Sequence, residues 1–140
     1  MVAEYHLKVP GWAVAAGSRR LLPAAMFREP EQAVFMHQTR VHPIYFAFQE
    51  QRNDQVTITL PPDLAPSGLP PPASSDIKVV RYQLGAERVA DKLTLKRQFE
   101  IGTLFVPTQY YPQLHDVFQK IKAGDEQQLL LAPVAHAASR

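Results

Sequence analysis

The sequence predicts a mainly β protein, an antiparallel β-sandwich of six to seven strands with one α-helix in its C-terminal half. Three observations predict it. Apolar and polar residues alternate with period two in several segments, as in Leu93-Thr94-Leu95-Lys96. Turn-forming residues separate those segments. A single stretch, Leu114 to Ile121, carries its apolar residues at helical spacing. The 140 residues suit one domain, expected over 1–132, with 133–140 as a flexible tail.

Taken in order, Ala3, Tyr5, Leu7 and Val9 share one parity and Glu4, His6 and Lys8 the other. That is the mark of a half-buried strand, stopped by Pro10-Gly11. Residues 12–15 suit a short second strand. From Gly17 to Gln38, Pro23 and Pro30 interrupt the apolar residues Leu21, Leu22, Met26 and Phe27, so irregular covering structure is expected. Val41–Gln49 is rich in β-formers, and in 55–60 Val56, Ile58 and Leu60 alternate with Thr57 and Thr59. The polar link 50–54 between them reads as a hairpin loop. Pro61–Ser75 holds six prolines in fifteen residues, too many for a central strand, and reads as an extended connection.

Strands are expected at 76–84 and 91–101, joined by a turn at Gly85-Ala86-Glu87-Arg88. The second sets Leu93, Leu95, Phe99 and Ile101 against Thr94, Lys96, Gln98 and Glu100, with Arg97 on the apolar side. An unpaired guanidinium is too costly to bury. A bulge could turn Arg97 outward, or its stem could cover apolar surface while its head reaches water. Pairing with a carboxylate inside the fold is the expected solution. The helix is expected over 111–123, with Leu114, Val117, Phe118 and Ile121 on its buried face. Pro112 suits its first turn, Lys120 and Lys122 its last, and Gly124 a left-handed residue just past its end. Residues 128–131 form a short closing strand.

Composition removes several function classes. Fifteen basic residues against thirteen acidic ones leave a net charge of +2, and no basic run exceeds two, so no nucleic-acid partner is expected. The absence of cysteine excludes thiol catalysis, cysteine-ligated zinc and disulfides. No apolar run approaches the roughly 18 residues of a membrane helix, so no membrane insertion is expected. The N-terminus lacks the apolar core of a signal peptide.

An ordered series of motifs carries a family resemblance over residues 40–131. It runs from Arg40-Val41-His42-Pro43 and Tyr45-Phe46 through Thr59-Leu60-Pro61 and Leu69-Pro70-Pro71. Tyr82, Leu95-Lys96-Arg97, Val106-Pro107, Tyr111, Leu114 and Phe118 follow, and Gly124-Asp125-Glu126-Gln127-Gln128 leads into Leu131. In this the chain resembles the C-terminal β-rich domain that follows a transglutaminase-like core in bacterial envelope or secreted proteins of unknown function. The resemblance implies a periplasmic or extracellular setting and an arginine at position 97 suited to a structural pair. The cysteine-bearing core is absent, so no catalytic residue carries over to any position here.

Candidate chemistry is sparse. His37 and His42 lack a ligand spacing, and His6, His115 and His136 are isolated, so no metal site is expected. Ser67, Ser74 and Ser75 lie in the proline-rich link without a nucleophile elbow, no carboxylate pair stands out, and no glycine-rich phosphate loop occurs. No catalytic residue, metal ligand or cofactor is assigned. Leu69-Pro70-Pro71-Pro72 fits a polyproline II ligand, though stiffening a connection is the plainer account. Tyr45, Phe46 and Phe48 could line a sugar or peptide surface, but clustered aromatics are more often core. The expected function is a non-catalytic accessory domain that packs against or positions a neighbouring transglutaminase-like domain or another protein. The alternative is an autonomous module binding cell-wall glycan or peptide, for which an exposed aromatic platform would speak.

Overall fold

A computed structural model describes residues 1–27 and 35–134. Its spine is a hairpin of two ten-residue strands, and the chain around it runs as follows. β1 (Val14–Ala16), β2 (Arg19–Pro23), β3 (Ile44–Tyr45), β4 (Glu50–Thr59) and β5 (Leu64–Pro66) come first. β6 (Ala73–Asp76), β7 (Val80–Val89), β8 (Lys92–Ile101) and β9 (Phe105–Val106) come next, then α1 (Tyr111–Asp125) and β10 (Gln128–Pro133). All pairings among the described residues are antiparallel. One sheet has the order β4-β8-β7-β6, a second β1-β2-β10-β5, and β3 and β9 form a separate ribbon.

One face of the first sheet carries the core, and it is covered in two halves. Val80, Tyr82, Leu84, Phe99 and Ile101 pack with Leu114, Val117, Phe118 and Ile121 of α1 and with Ile44 and Val106. Further along the same face, Leu93 and Leu95 pack with Leu22 of β2, Leu129 and Leu131 of β10, and Leu60. A helix and a second sheet thus share one side of the hairpin, giving a sandwich-like, mainly β protein with its helix in the C-terminal half. The helical stripe is where its spacing predicts it, and Pro112 lies in the first turn.

Several boundaries differ from the expectation, each for a physical reason. Residues 3–9 are exposed and form no strand, and none of the described strands pairs with them. Residues 50–54 are not a loop but the first half of β4, and only Ile44–Tyr45 of 41–49 is strand. Ten pairings with β8 hold Glu50–Thr59 extended despite its polar start. The proline-rich link contains β5 and β6, but both are edges, where a missing N–H is tolerated. Gly85-Ala86-Glu87-Arg88 is strand, and the turn falls instead at Ala90-Asp91, where Ala90 takes φ 54°. A positive φ at the first position of a two-residue hairpin loop matches the twist of the strands. The expected strand at 76–84 divides into the end of β6, a turn at 77–79, and the start of β7. Short edge pieces of two to four residues raise the strand count to ten among the described residues. Pro30, His136 and most of the expected tail lie outside the described residues.

Gly124 is also used differently. It sits inside α1 without a positive φ. A Cβ there would overlap the Tyr82 hydroxyl and lie 3.2 Å from Cζ of the same ring. The glycine is needed for close approach of helix to sheet, not for a left-handed cap.

Candidate interaction surface

The β3–β9 ribbon brings together the aromatic residues of the 41–49 segment and those after β8. Ile44 pairs with Val106, and Tyr45 with Phe105. Because strand side chains alternate, Ile44 and Val106 enter the helix-covered core while Tyr45 and Phe105 point out. The outer rings stack at a tilt, with centroids 5.0 Å apart. Phe46 donates its N–H to the Leu104 carbonyl, and its half-buried ring meets Phe35 edge-on. Gln49 Nε2 donates to the Gly102 carbonyl at 2.9 Å, tying the far end of the segment to the same ribbon. Phe48 and Leu104 are further exposed apolar residues of the same two segments. Tyr45 is 73% and Phe48 65% exposed. The core reading of these two is therefore corrected, whereas Phe46 does pack against the core. No charged residue occurs in 43–49 or 102–107. An uncharged apolar ribbon of this kind is what a partner surface removes from water.

A second surface is polar. On the face of the first sheet turned away from the core, Asn53, Gln98, Gln83 and Ser74 lie in register across all four strands. The adjoining row is Gln51, Glu100, Arg81 and Asp76. Here Arg81 reaches Asp76 at 3.4 Å and Glu100 at 3.8 Å, exposed contacts of small energetic weight. A trough of about 520 Å³ follows these rows. Its amides and hydroxyls both donate and accept, and Asp76, Arg81 and Glu100 add charges of both signs at one end, so the chemistry fits a polar ligand rich in hydrogen-bonding groups.

The polar centre of the interior is structural. Arg97 is 5% exposed and makes a bidentate pair with Asp125, Nε to Oδ1 and Nη2 to Oδ2, both at 2.7 Å. Tyr82 donates its hydroxyl to the same Oδ1 at 2.9 Å. The guanidinium lies against the rings of Tyr82 and Phe99. Burial, reinforced by the Asp125 charge and hydrogen bond and opposed by Arg97, pushes the Tyr82 phenol well above its ordinary range. Such a neutral, buried phenol is a donor to its carboxylate, not a base. The expected internal pair of Arg97 is thus present, and Asp125, at the end of α1, is the partner that spacing alone could not name.

The other residues singled out in the sequence remain apart. His6 lies near Glu4, His115 near Asp116, and His37 offers its backbone carbonyl to the Tyr111 hydroxyl. His42 is exposed. Among the described residues no group of three potential ligands gathers for a metal. Ser74 lies on the polar face in β6, and Ser67 follows β5. No described helix is long and apolar enough to cross a membrane.

Comparison with known proteins gives a family and a fold. The profile of a domain of unknown function with a solved structure, DUF3858, matches residues 18–131. No curated protein matches the chain. A crystal structure of a Parabacteroides distasonis protein, described as a candidate protease, is similar with a TM-score of 0.64 at 8% identity. The similarity covers 81% of this chain and 23% of that one, so the present chain spans less than a quarter of its solved relative. At that identity the likeness concerns the fold.

Proposed function

We propose, since this chain belongs to the DUF3858 family of unknown function, that it is a non-catalytic accessory domain packing against or positioning a transglutaminase-like neighbour. The observation that carries the reading is the outward Tyr45–Phe105 ribbon, with Phe48 and Leu104 exposed in the same two uncharged segments. Aromatic and apolar residues with charge depleted around them are the composition of an interface centre. That the same fold forms about a quarter of a longer chain described as a candidate protease supports a role beside other domains. The resemblance over residues 40–131 suggests the neighbour.

The test is titration of this chain with a transglutaminase-like domain encoded in the same reading frame, followed calorimetrically. Saturable binding that weakens at least tenfold in Tyr45→Ser with Phe48→Ser, at unchanged melting temperature, is the expected result. Both side chains are exposed, so the fold survives their loss. No binding, or binding indifferent to the two substitutions, rejects the docking role. Turnover of ester, peptide or glycoside substrates that a point substitution abolishes would reject the non-catalytic reading.

The second reading, a glycan- or peptide-binding module, is favoured by one specific observation, the Asn53-Gln98-Gln83-Ser74 row along the trough. Titration with peptidoglycan fragments separates the two. Saturation lost in Gln98→Ala but kept in Tyr45→Ser belongs to the module.

A further inference from the structure

Among the described residues, the first sheet ends at β4, ten residues long with no strand beyond it. The other edges of the two four-stranded sheets, β1, β5 and β6, are three or four residues long. An open edge presents unpaired N–H and C=O groups, which proteins blunt with inward-pointing charges, prolines or bulges. β4 does this only in its first half, where Arg52 and Asp54 occupy the inner face opposite Phe99 and Arg97. Its second half, Gln55-Val56-Thr57-Ile58-Thr59, has neither charge nor proline. There Val56 and Ile58 stay half-buried, although their partners Leu95 and Leu93 are buried completely.

The same chain holds a segment with the opposite deficiency. Residues 3–9 alternate in the manner of a half-buried strand, yet Tyr5 is 77% and Leu7 82% exposed. A turn at Pro10-Gly11 follows, with Gly11 at φ 75° and the Trp12 N–H bonded to the Val9 carbonyl. Trp12 and Ala13 then pack on the leucine cluster that Val56 and Ile58 also meet. The segment therefore leaves the fold from the leucine-cluster end of the molecule, and its residues stand in solvent.

We infer that residues 3–9 add as a strand to the 55–59 edge of β4 in a second copy of the chain, reciprocally. Parity fixes the arrangement. Tyr5, Leu7 and Val9 join Val56 and Ile58 on the apolar face, and Glu4, His6 and Lys8 join Gln55, Thr57 and Thr59 on the polar one. One two-fold operation then satisfies the unpaired edge and the unpaired strand of both copies, closing the assembly at a dimer. The inference does not rest on the proposed docking role, since it uses β4 and not the aromatic ribbon.

Sedimentation of the full chain across micromolar to millimolar concentrations tests it, with amide exchange read in parallel. A concentration-dependent dimer is expected, with residues 3–9 and 55–59 gaining protection together. Leu7→Glu and His6→Pro should each raise the dimer dissociation constant at least tenfold, and neither touches the folded core. A chain that stays monomeric, assemblies larger than two, or a dimer indifferent to both substitutions overturns the inference. So does a monomer whose residues 3–9 are already protected, which would mean pairing with its own edge.

Discussion

β4 and β8 lie side by side in register over ten residue pairs, yet they behave as different kinds of strand. β8 has a neighbour on each side and buries every second residue from Leu93 to Ile101. Among the described residues β4 has a neighbouring strand on one side, and it buries none of its inner residues fully. The two arginines on that face show the contrast most sharply. Arg97 is enclosed and makes a bidentate bond to Asp125, whereas Arg52 reaches Glu50 at 2.6 Å with its side chain 38% exposed. Similar chemistry, one strand apart, therefore carries very different weight. Desolvation makes the enclosed pair indispensable once formed, and solvent screens the other.

Substitutions on the two strands can sharpen or break this contrast. Arg97→Leu should cost about 3–5 kcal/mol in denaturant unfolding, because it leaves Asp125 buried without its counter-charge. Arg97→Lys should also destabilise, since an ammonium cannot make the bidentate contact. The double variant Arg97→Leu with Asp125→Leu should regain part of the loss, and a loss as large as the single variant's would argue against an ionic origin. Next, Leu95→Ala should cost about 2–5 kcal/mol, and Val56→Ala, its register partner, distinctly less. Equal losses at the two positions would mean that β4 is covered as well as β8.

Tyr82→Phe should cost about 0.5–1.5 kcal/mol through its lost hydrogen bond, and more if Asp125 is left short of a donor. Its pH signature is more diagnostic. Folding raises the phenol's pKa, so this contribution is complete below the unfolded value of about 10 and fades as pH climbs above it. Unfolding curves of the wild type should therefore fall more steeply above about pH 10 than those of Tyr82→Phe. Parallel curves would show that the phenol ionises freely in the fold. The smallest effect belongs to Arg52→Ala, about 0–1 kcal/mol and reduced further by salt.

The same contrast explains what the sequence made legible. Where burial alternates strongly, as in Leu93 to Ile101 and in the helix stripe from Leu114 to Ile121, composition follows it and the elements are readable. Arg97 announced its need for a carboxylate by standing among leucine and phenylalanine. β4 was opaque because an edge strand with Arg52 and Asp54 on its inner face has the composition of a loop. Gly85 suggested a turn, while the left-handed position was filled by Ala90, which residue type alone does not favour. Residues 3–9 have a strand's alternation but pair with no strand among the described residues. The aromatic ribbon was hidden for the converse reason. Tyr45 and Phe48 have core chemistry, and only the pairing of Ile44 with Val106 sets Tyr45 on the outside.

The position of β10 has a kinetic consequence. It is the central partner that joins β2 to β5, and Leu129 meets Leu22 across about one hundred residues of intervening chain. The hairpin of β7 and β8, by contrast, closes through a two-residue turn. Local pairing of that kind forms early, whereas a contact so distant must overcome the entropy of a long loop before it contributes. As the chain emerges from a ribosome, the long hairpin can zip while β2 still waits, with Leu22 exposed, for residues 128–133 to arrive. Sequence separation thus predicts that the second sheet closes after the hairpin, and the interval before it is when the leucines of β2 are most open to wrong partners.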